Sequence, residues 1–174
     1  AGYATFGVSC NVNITERIGF HRGFEHFADF TGPKFGKGAP AEHALAQLRQ
    51  WKPLLDADGP YFLYLHFNDV HAPWTPRSPA FAPDAENYGG ERASYDAEIR
   101  HLDAQLRQMH AELGWNDDTL IVLVSDHGEE FGEHGALGHG YSVHSELMRV
   151  AMLFSWPAQI AGGRRVDTPA SLVD

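Results

Sequence analysis

Ionisable side chains follow two apolar runs of the sequence, each at the point where the run ends. Residues 68–71 (NDVH) follow the first run, and residues 126–130 (DHGEE) follow the second. An aspartate oxygen and an imidazole nitrogen are both ligands for divalent cations, and a charged pair directly after a buried strand is costly unless it is paired or bound to metal. We therefore predict that Asp126 and His127 hold a metal ion.

A glycine-rich segment adds further imidazoles downstream. Residues 133–140 (EHGALGHG) contain His134 and His139, and Gly128 is expected to permit a tight turn directly after the predicted metal ligands. The alternative is a solvated polar loop in which the histidines are incidental, and His134 is a weaker candidate for this reason. We prefer that alternative for six other histidines: His21, His26, His43, His101, His110 and His144.

The pattern of apolar residues predicts the elements that position these side chains. Runs of small, β-branched or aromatic residues predict strands at 3–9, 61–67, 119–125 and 150–154. Apolar residues at spacings of three and four predict helices over 41–56 and 91–113, and Gly114 is placed to cap the second helix. Strands that alternate with helices predict an α/β fold with a largely parallel sheet flanked by helices, in which ligands bind beyond the carboxyl ends of strands.

The segments between these elements are expected to be less regular. Residues 11–19 are predicted as a turn or loop, 24–30 as irregular or a short helical turn, and 31–40 as a surface loop. Residues 72–83 are predicted as an ordered loop at the end of a strand. The run at 61–67 is typical of a strand covered on both faces.

Composition excludes several kinds of partner. The 174 residues are 43% hydrophobic, enough for one packed core, and 23 acidic against 13 basic side chains give a net charge of −10. Because that charge repels phosphate backbones and anionic lipids, we expect no nucleic-acid partner. The single cysteine, Cys10, excludes an internal disulfide and is interpreted as a small buried residue. No run approaches the roughly 20 apolar residues of a membrane-spanning helix.

One segment has a specific family resemblance. Residues 125–135 (SDHGEEFGEHG), followed by 138–140 (GHG) and Arg149-Val150, resemble the C-terminal metal-binding segment of the sulfatase family, within the alkaline phosphatase superfamily. Three other segments also resemble the family. Residues 1–5 with 23–27 resemble its strand and loop after the nucleophile, residues 62–74 resemble a further strand with its polar loop, and residues 95–103 resemble its long helix. The resemblance covers nearly the whole chain.

The resemblance implies roles for four residues. Asp126 and His127 would bind a divalent metal ion, with Ca²⁺ or Mn²⁺ expected ahead of Mg²⁺ or Zn²⁺. His71 and His139 would contact the oxygens of the ester, neutralise charge on the leaving oxygen and act as proton donors to it. The implied activity is hydrolysis of sulfate or phosphate esters of a small molecule or glycan, in an alkaline-phosphatase-like fold.

The chain departs from the family pattern in ways that bear on activity. It has no Cys/Ser-x-Pro-x-Arg nucleophile motif and lacks the two N-terminal aspartate ligands, which we expect upstream of Ala1. Residues 1–174 are therefore interpreted as a single partial catalytic domain, without its nucleophile segment and its C-terminal end, that binds metal weakly and is inactive alone. Many arylsulfatases have Asn in place of His127 and Lys in place of His139, which favours relatives that act on phosphate esters or transfer phospholipid headgroups.

Three alternatives stay open at this stage. The parent protein could be a phosphoethanolamine or glycerophosphate transferase of the same superfamily, a histidine-rich metal-binding module without catalysis, or a degenerate family member that serves as an interaction domain. Several tightly bound equivalents of zinc or copper would favour the module, whereas one weak site lost in Asp126→Ala would favour the enzyme. The sequence assigns neither a compartment nor an oligomeric state.

Overall fold

The chain divides into two compact units. The computed structural model describes residues 2–32, 35, 38–57, 59–74 and 90–173. The first unit is Ala1–Gly114 and the second is Trp115–Asp174. That residues 1–174 form a single partial domain stays a prediction.

A parallel three-stranded sheet forms the centre of the first unit. Its strands, in spatial order β2-β1-β3, are β1 (Ala4–Ser9), β2 (His26–Asp29) and β3 (Tyr61–His66). Ser9 at the end of β1 lies opposite Asp29 on one side and His66 on the other. The carboxyl ends of all three strands therefore lie at the same edge of the sheet, as the predicted fold requires.

Strand β2 is one of the strands that the sequence did not predict. Residues 24–30 were expected to be irregular or a short helical turn, but residues of β2 pair in parallel with β1 from Phe6 to Ser9. The entry to β2 is held by Thr5, whose hydroxyl accepts the Glu25 N–H at 2.9 Å. Four residues are too few to show a strand periodicity, so the ladder offered by β1 decided this conformation.

Helix α1 (Ala41–Leu55) packs on the face of the sheet that carries Phe6. The Phe6 ring lies 5.6 Å from the ring of Trp51 and 4.9 Å from that of His26. The helix confirms the prediction over 41–56, and Pro40 occupies its N-cap position. The buried core between sheet and helix confirms the interpretation of the cysteine and includes Phe6, Val8, Cys10, Ala44, Leu45 and Leu48.

The opposite face of the sheet is aromatic and partly open. Phe24 lies 5.6 Å from Phe27 and 6.2 Å from Phe62 between ring centroids. Gly7 leaves the space that the Phe27 ring occupies. Because Phe62 is 52% exposed, the prediction that this strand is covered on both faces is wrong for the part of the chain that the structure describes.

Helix α2 (Glu91–Leu113) confirms the helix predicted over 91–113. Gly114 ends it in the left-handed conformation, with φ 64°, as the capping prediction required. Arg49 of α1 joins the two helices by donating two hydrogen bonds of 2.7 Å to the Glu112 carboxylate. In the described part of the chain, no helix combines the length and apolarity that a membrane span requires.

The predicted loops are described only in part. Residues 11–19 form turns with a short 3-10 helix at Glu16–Ile18. In the segment predicted as a surface loop, Gly38 forms an isolated antiparallel bridge with Asn11. Residues 33–34 and 36–37 of that loop, and residues 75–83 of the ordered loop predicted over 72–83, lie outside the described residues.

The second unit contains two small antiparallel sheets. Its elements are β4 (Ile121–Val124), β5 (Glu130–Phe131), β6 (Leu137–Gly138), helix α3 (Ser145–Met148) and β7 (Met152–Ser155). Strand β4 pairs with β7, and β5 pairs with β6. The strands predicted at 119–125 and 150–154 are confirmed, but they form an antiparallel pair, unlike the sheet of the first unit. Val122 and Phe154 are about half-exposed among the described residues, because a two-stranded sheet leaves both faces without a packed layer.

Candidate metal and active site

The predicted metal ligands lie directly after β4. The start of the segment is held by Ser125, which exchanges hydrogen bonds of 3.1 and 2.9 Å with Ala151 at the start of β7. The carboxylate oxygen Oδ1 of Asp126 accepts the backbone N–H of His127 at 3.0 Å and lies 3.7 Å from Nε2 of the same imidazole. Two potential ligand atoms are thus adjacent. Asp126 is largely exposed and His127 is partly exposed, so both are open to an ion.

The orientation of the His127 ring is set by the backbone. Nδ1 lies 2.7 Å from the carbonyl oxygen of Gly128. A carbonyl only accepts hydrogen bonds, so Nδ1 carries the proton and Nε2 of the neutral ring keeps a lone pair. This is the tautomer that binds a metal through Nε2.

Gly128 is required for a reason other than the one predicted. A tight turn was expected there, but the φ of Gly128 is not positive, so its backbone does not need the conformational freedom of glycine. Instead, the carbonyl oxygen of Glu146 approaches so closely that a Cβ at position 128 would collide with it, and the Gly128 N–H donates to the Leu147 carbonyl at 2.8 Å. The sequence identified the right residue, but the constraint comes from a contact with the α3 segment.

The β5-β6 hairpin brings His139 to the predicted metal ligands. The ring centroids of His127 and His139 lie 4.0 Å apart. On its other side, His139 places Nδ1 2.8 Å from Oε1 of Glu129. The second unit therefore brings together Asp126, His127 and His139, and it adds Glu129, to which the sequence analysis assigned no role.

The buried carboxylate of Glu130 accepts hydrogen bonds within the same β5-β6 hairpin. Glu130 is 1% exposed and accepts hydrogen bonds of 3.2 Å from the His134 backbone N–H and from the Ser142 hydroxyl. The His134 ring stacks on His144 at 3.7 Å, and Nε2 of His134 lies 3.4 Å from Glu146. The pKa of the Glu146 carboxyl is lowered, first by its own backbone N–H and also by the His134 imidazole. His134 and His144 therefore form a stacked pair in a segment where both residues are exposed.

His71 belongs to the first unit, after β3. Its Nδ1 lies 2.7 Å from the Ala72 carbonyl oxygen, which assigns the proton to Nδ1 and the lone pair to Nε2, as in His127. Nearby, the Trp74 indole donates to the Val70 carbonyl at 2.9 Å. The role that the resemblance implies for His71, contact with the ester oxygens, stays a prediction.

One further group could hold a cation, and sequence reasoning missed it. Ligand atoms of Glu42, Asp69 and His101 all lie within 4.8 Å of one another, the only such group among the described residues. Asp69 Oδ1 also accepts the Ala41 N–H at the start of α1 at 3.1 Å, and His101 Nε2 lies 3.0 Å from Glu42. Because these residues come from α1, the loop after β3 and α2, no local signal links them.

The same group shapes the chemistry of the core beside it. Burial raises the pKa of the Cys10 thiol to about 12, and the negative charge of Asp69 adds to the shift.

His101 is 8% exposed, so its interpretation as a solvated side chain is wrong. His26 and His43 likewise pack against aromatic rings, at 4.9 Å from Phe6 and Phe35 respectively.

Comparison with known proteins decides the family. The chain matches the family model named Sulfatase over residues 1–174. The chain belongs to the sulfatase family. The resemblance carried by residues 125–140 is thereby confirmed.

Individual relatives of the sulfatase chain agree with this assignment. The curated "Uncharacterized sulfatase YidJ" of Escherichia coli (strain K12) is 31% identical over 58 residues, which cover 33% of this chain and 11% of the relative. A structure of Ps i-CgsB in complex with k-i-k-neocarrahexaose has a TM-score of 0.65 at 18% identity, and the match covers 90% of this chain and 45% of that one. A protein in the alkaline phosphatase superfamily from Vibrio parahaemolyticus has a TM-score of 0.51 at 20% identity, covering 72% of this chain and 33% of that one.

These similarities show the fold of the sulfatase chain. It is α/β with a parallel sheet and flanking helices, alkaline-phosphatase-like, as predicted. The chain spans 11% of the curated relative and less than half of either solved structure. The comparisons therefore describe this part of a sulfatase-type protein at the level of family and fold.

Proposed function

We propose that this sulfatase-family chain is part of a metal-dependent hydrolase that cleaves sulfate or phosphate esters. The observation that carries the proposal is the 3.7 Å separation between Asp126 Oδ1 and His127 Nε2. Metal bonds to such atoms are about 2.0–2.2 Å long, so two atoms at that separation can reach one ion. Membership of the sulfatase family over residues 1–174 supports this reaction class.

The donor set fits a divalent cation. Asp126 offers a hard carboxylate oxygen, and His127 offers Nε2 because its Nδ1 is occupied by the Gly128 carbonyl. When bound, the ion would activate the nucleophile and balance charge on the transferred group. We expect Ca²⁺ or Mn²⁺ ahead of Mg²⁺ or Zn²⁺, since the two further ligands expected upstream are aspartates and oxygen-rich sites suit the harder ions.

His71 and His139 are proposed to act on the ester oxygens. The Nδ1 atom of His71 lies 2.7 Å from a carbonyl oxygen and that of His139 lies 2.8 Å from a carboxylate, so Nε2 is the nitrogen of each ring that we propose to act on the substrate. In its imidazolium form, each ring also carries a proton on Nε2 and can donate it to the leaving oxygen.

The substrate is proposed to be an ester of a small molecule or glycan. The solved structure of Ps i-CgsB, at 18% identity, holds k-i-k-neocarrahexaose, and an oligosaccharide is accordingly one class to test. The net charge of −10 disfavours nucleic acid. The nucleophile is proposed to lie upstream of this segment, so the 174 residues alone should be inactive.

The test uses the full-length protein with a panel of aryl sulfate and aryl phosphate esters. Asp126→Asn and His127→Gln should each lower kcat/KM by at least about 100-fold and reduce the bound metal measured by mass spectrometry. His139→Gln should lower kcat while metal content is kept. His21→Gln is the matched control, because its Nδ1 also lies near a carbonyl, that of Glu16 at 3.1 Å, and no site role is proposed for it.

Two results would overturn the proposal. One is full activity in Asp126→Asn, and the other is a metal-loaded wild-type protein that hydrolyses neither ester class. Several tightly bound metal equivalents without hydrolysis would instead favour the histidine-rich binding module. A family member with no nucleophile upstream of Ala1 would favour the interaction domain.

A phosphoethanolamine or glycerophosphate transferase is the second candidate function. It is favoured by His127 and His139, which stand where many arylsulfatases have Asn and Lys. Product analysis with a phospholipid donor and an alcohol acceptor distinguishes the two, because a transferase forms the new ester and a hydrolase releases the free acid. An upstream Thr nucleophile would agree with transfer, and an upstream Cys-x-Pro-x-Arg would agree with hydrolysis.

A further inference from the structure

Glu129 and His139 occupy equivalent places on the two sides of the β5-β6 hairpin. The ladder pairs Glu130 with Gly138 and Phe131 with Leu137. Glu129 directly precedes β5 and His139 directly follows β6, so they are the next opposed positions beyond the ladder. Side chains at opposed positions lie close enough to interact, and here they form a 2.8 Å hydrogen bond.

The two side chains of this contact differ in how far they are exposed. The Glu129 side chain is 3% exposed, and that of His139 is 28% exposed. The imidazole therefore has one edge against a buried carboxylate and another edge reaching the surface. The Glu129 carboxylate accepts the hydrogen bond from Nδ1 of His139, so Nδ1 carries a proton in the neutral ring and in the imidazolium alike.

We propose that Glu129 is a positioning residue that fixes the tautomer and ring orientation of His139, so that Nε2 faces the ester. The role rests on the proposed function, whereas the tautomer is a property of the second unit alone. Loss of the acceptor at Nδ1 removes the hydrogen bond that favours the Nδ1–H tautomer, so the proton of the neutral ring should shift toward Nε2. The ring would then no longer present one defined atom beside His127.

The neighbouring carboxylate provides a matched comparison. Glu130 is also buried and belongs to the same hairpin, but its oxygens accept hydrogen bonds from the His134 N–H and the Ser142 hydroxyl. Removing it should weaken the hairpin without removing the acceptor at Nδ1 of His139. A purely structural role for Glu129 predicts the same outcome for both substitutions, and a positioning role predicts different outcomes.

The first experiment reads the tautomer directly in the 174-residue chain. Long-range ¹H–¹⁵N correlation spectra at alkaline pH identify which imidazole nitrogen carries the proton, and the spectrum of His139→Gln assigns the signals of that ring. The wild-type chain should show His139 as a single Nδ1–H tautomer. Glu129→Ala should convert it to a mixture dominated by Nε2–H, whereas Glu130→Gln should leave it unchanged.

The second experiment measures catalysis in the full-length protein with the aryl ester panel. Glu129→Ala should lower kcat about 10–100-fold with a smaller effect on KM, and Glu129→Gln, which keeps a carbonyl acceptor, should recover part of the loss. Glu130→Gln should affect stability more than kcat. The solution NMR result does not depend on the enzyme being a hydrolase, so an inactive wild type counts against the proposed function and not against the tautomer.

Two outcomes would overturn the inference. An Nε2–H tautomer of His139 in the wild-type chain would do so even if every variant failed to fold. Equal losses of kcat in Glu129→Ala and Glu130→Gln, with an unchanged Nδ1–H tautomer of His139 in both, would show that the carboxylate at 129 serves only the hairpin.

Discussion

At the residue scale, the backbone around the predicted metal ligands depends on one glycine. The Glu146 carbonyl approaches Gly128 at the place where any other residue has a Cβ. The Gly128 carbonyl in turn accepts the hydrogen bond that orients His127. Gly128 thus contacts the α3 segment and also orients His127, so a side chain at position 128 would disturb a proposed metal ligand.

Gly128→Ala should destabilise the second unit and disturb the site. The added methyl group has no room against a backbone carbonyl, and overpacking of this kind costs about 1–3 kcal/mol or more. Hydrogen exchange of the β4 and β7 amides in urea would measure the loss. Gly162→Ala is the control, because nothing lies near its Cβ position and its φ is ordinary. Equal protection in the two variants would argue against the close approach.

At the element scale, polar side chains join α1 to elements that are distant in sequence. Pro40 has no side-chain acceptor for the start of α1, and Asp69, from the loop after β3, accepts the Ala41 N–H instead. Toward its other end, α1 is tied to α2 by Arg49 and Glu112. Both connections are invisible in the periodicity that predicts the helices themselves.

The ion pair between the helices should make stability depend on acid pH. Hydrogen bonds from the Arg49 side chain, then from Gln108, lower the pKa of Glu112 from 4.5 to about 2. Because the folded-state pKa is depressed, the stabilisation is present above 4.5 and is lost as pH falls through about 2. Both groups are exposed, so salt should weaken the effect.

Urea unfolding at a series of acid pH values would measure this dependence. Arg49→Met and Glu112→Gln should each remove the same pH-dependent component, and the double variant should remove no more than either single one. Additive losses would show that the two side chains act independently and that the pair is absent in solution.

At the scale of the whole molecule, the single cysteine provides a test of domain organisation. Cys10 is fully buried in the first unit, and burial raises the pKa of its thiol to about 12. Both features suppress thiolate formation and access of reagents. Labelling of Cys10 should therefore require unfolding of the first unit.

Native chain at neutral pH should react with Ellman's reagent at least about 100-fold more slowly than urea-unfolded chain. If residues 1–174 form one domain, the unfolding free energy from Cys10 labelling should equal that from hydrogen exchange of Val122 to Val124 in the second unit. Unequal values would contradict the prediction of a single domain. Rapid labelling of the native chain would contradict the burial of Cys10.

The sequence by itself determined the elements and the family. Helices α1 and α2 and strands β1, β3, β4 and β7 follow from local periodicity and from turn residues such as Gly114, because a packed element repeats its apolar face at a fixed interval. Asp126 and His127 were identified as candidates because their types and their position after a strand suit a metal, and the resemblance to the sulfatase family implied His139 as a contact to the ester. Their proposed roles, with that of His71, stay predictions.

Only the tertiary structure decided which residues meet. Strand β2 exists through its pairing with β1, Asp69 reaches the start of α1 across the fold, and the hairpin register brings Glu129 to His139. The tertiary structure also shows that Gly128 is needed because the Glu146 carbonyl lies close to it, and not because of a turn. Such contacts join residues that are separated along the chain, and periodicity reports only which face of an element is apolar, not which side chain will lie against it.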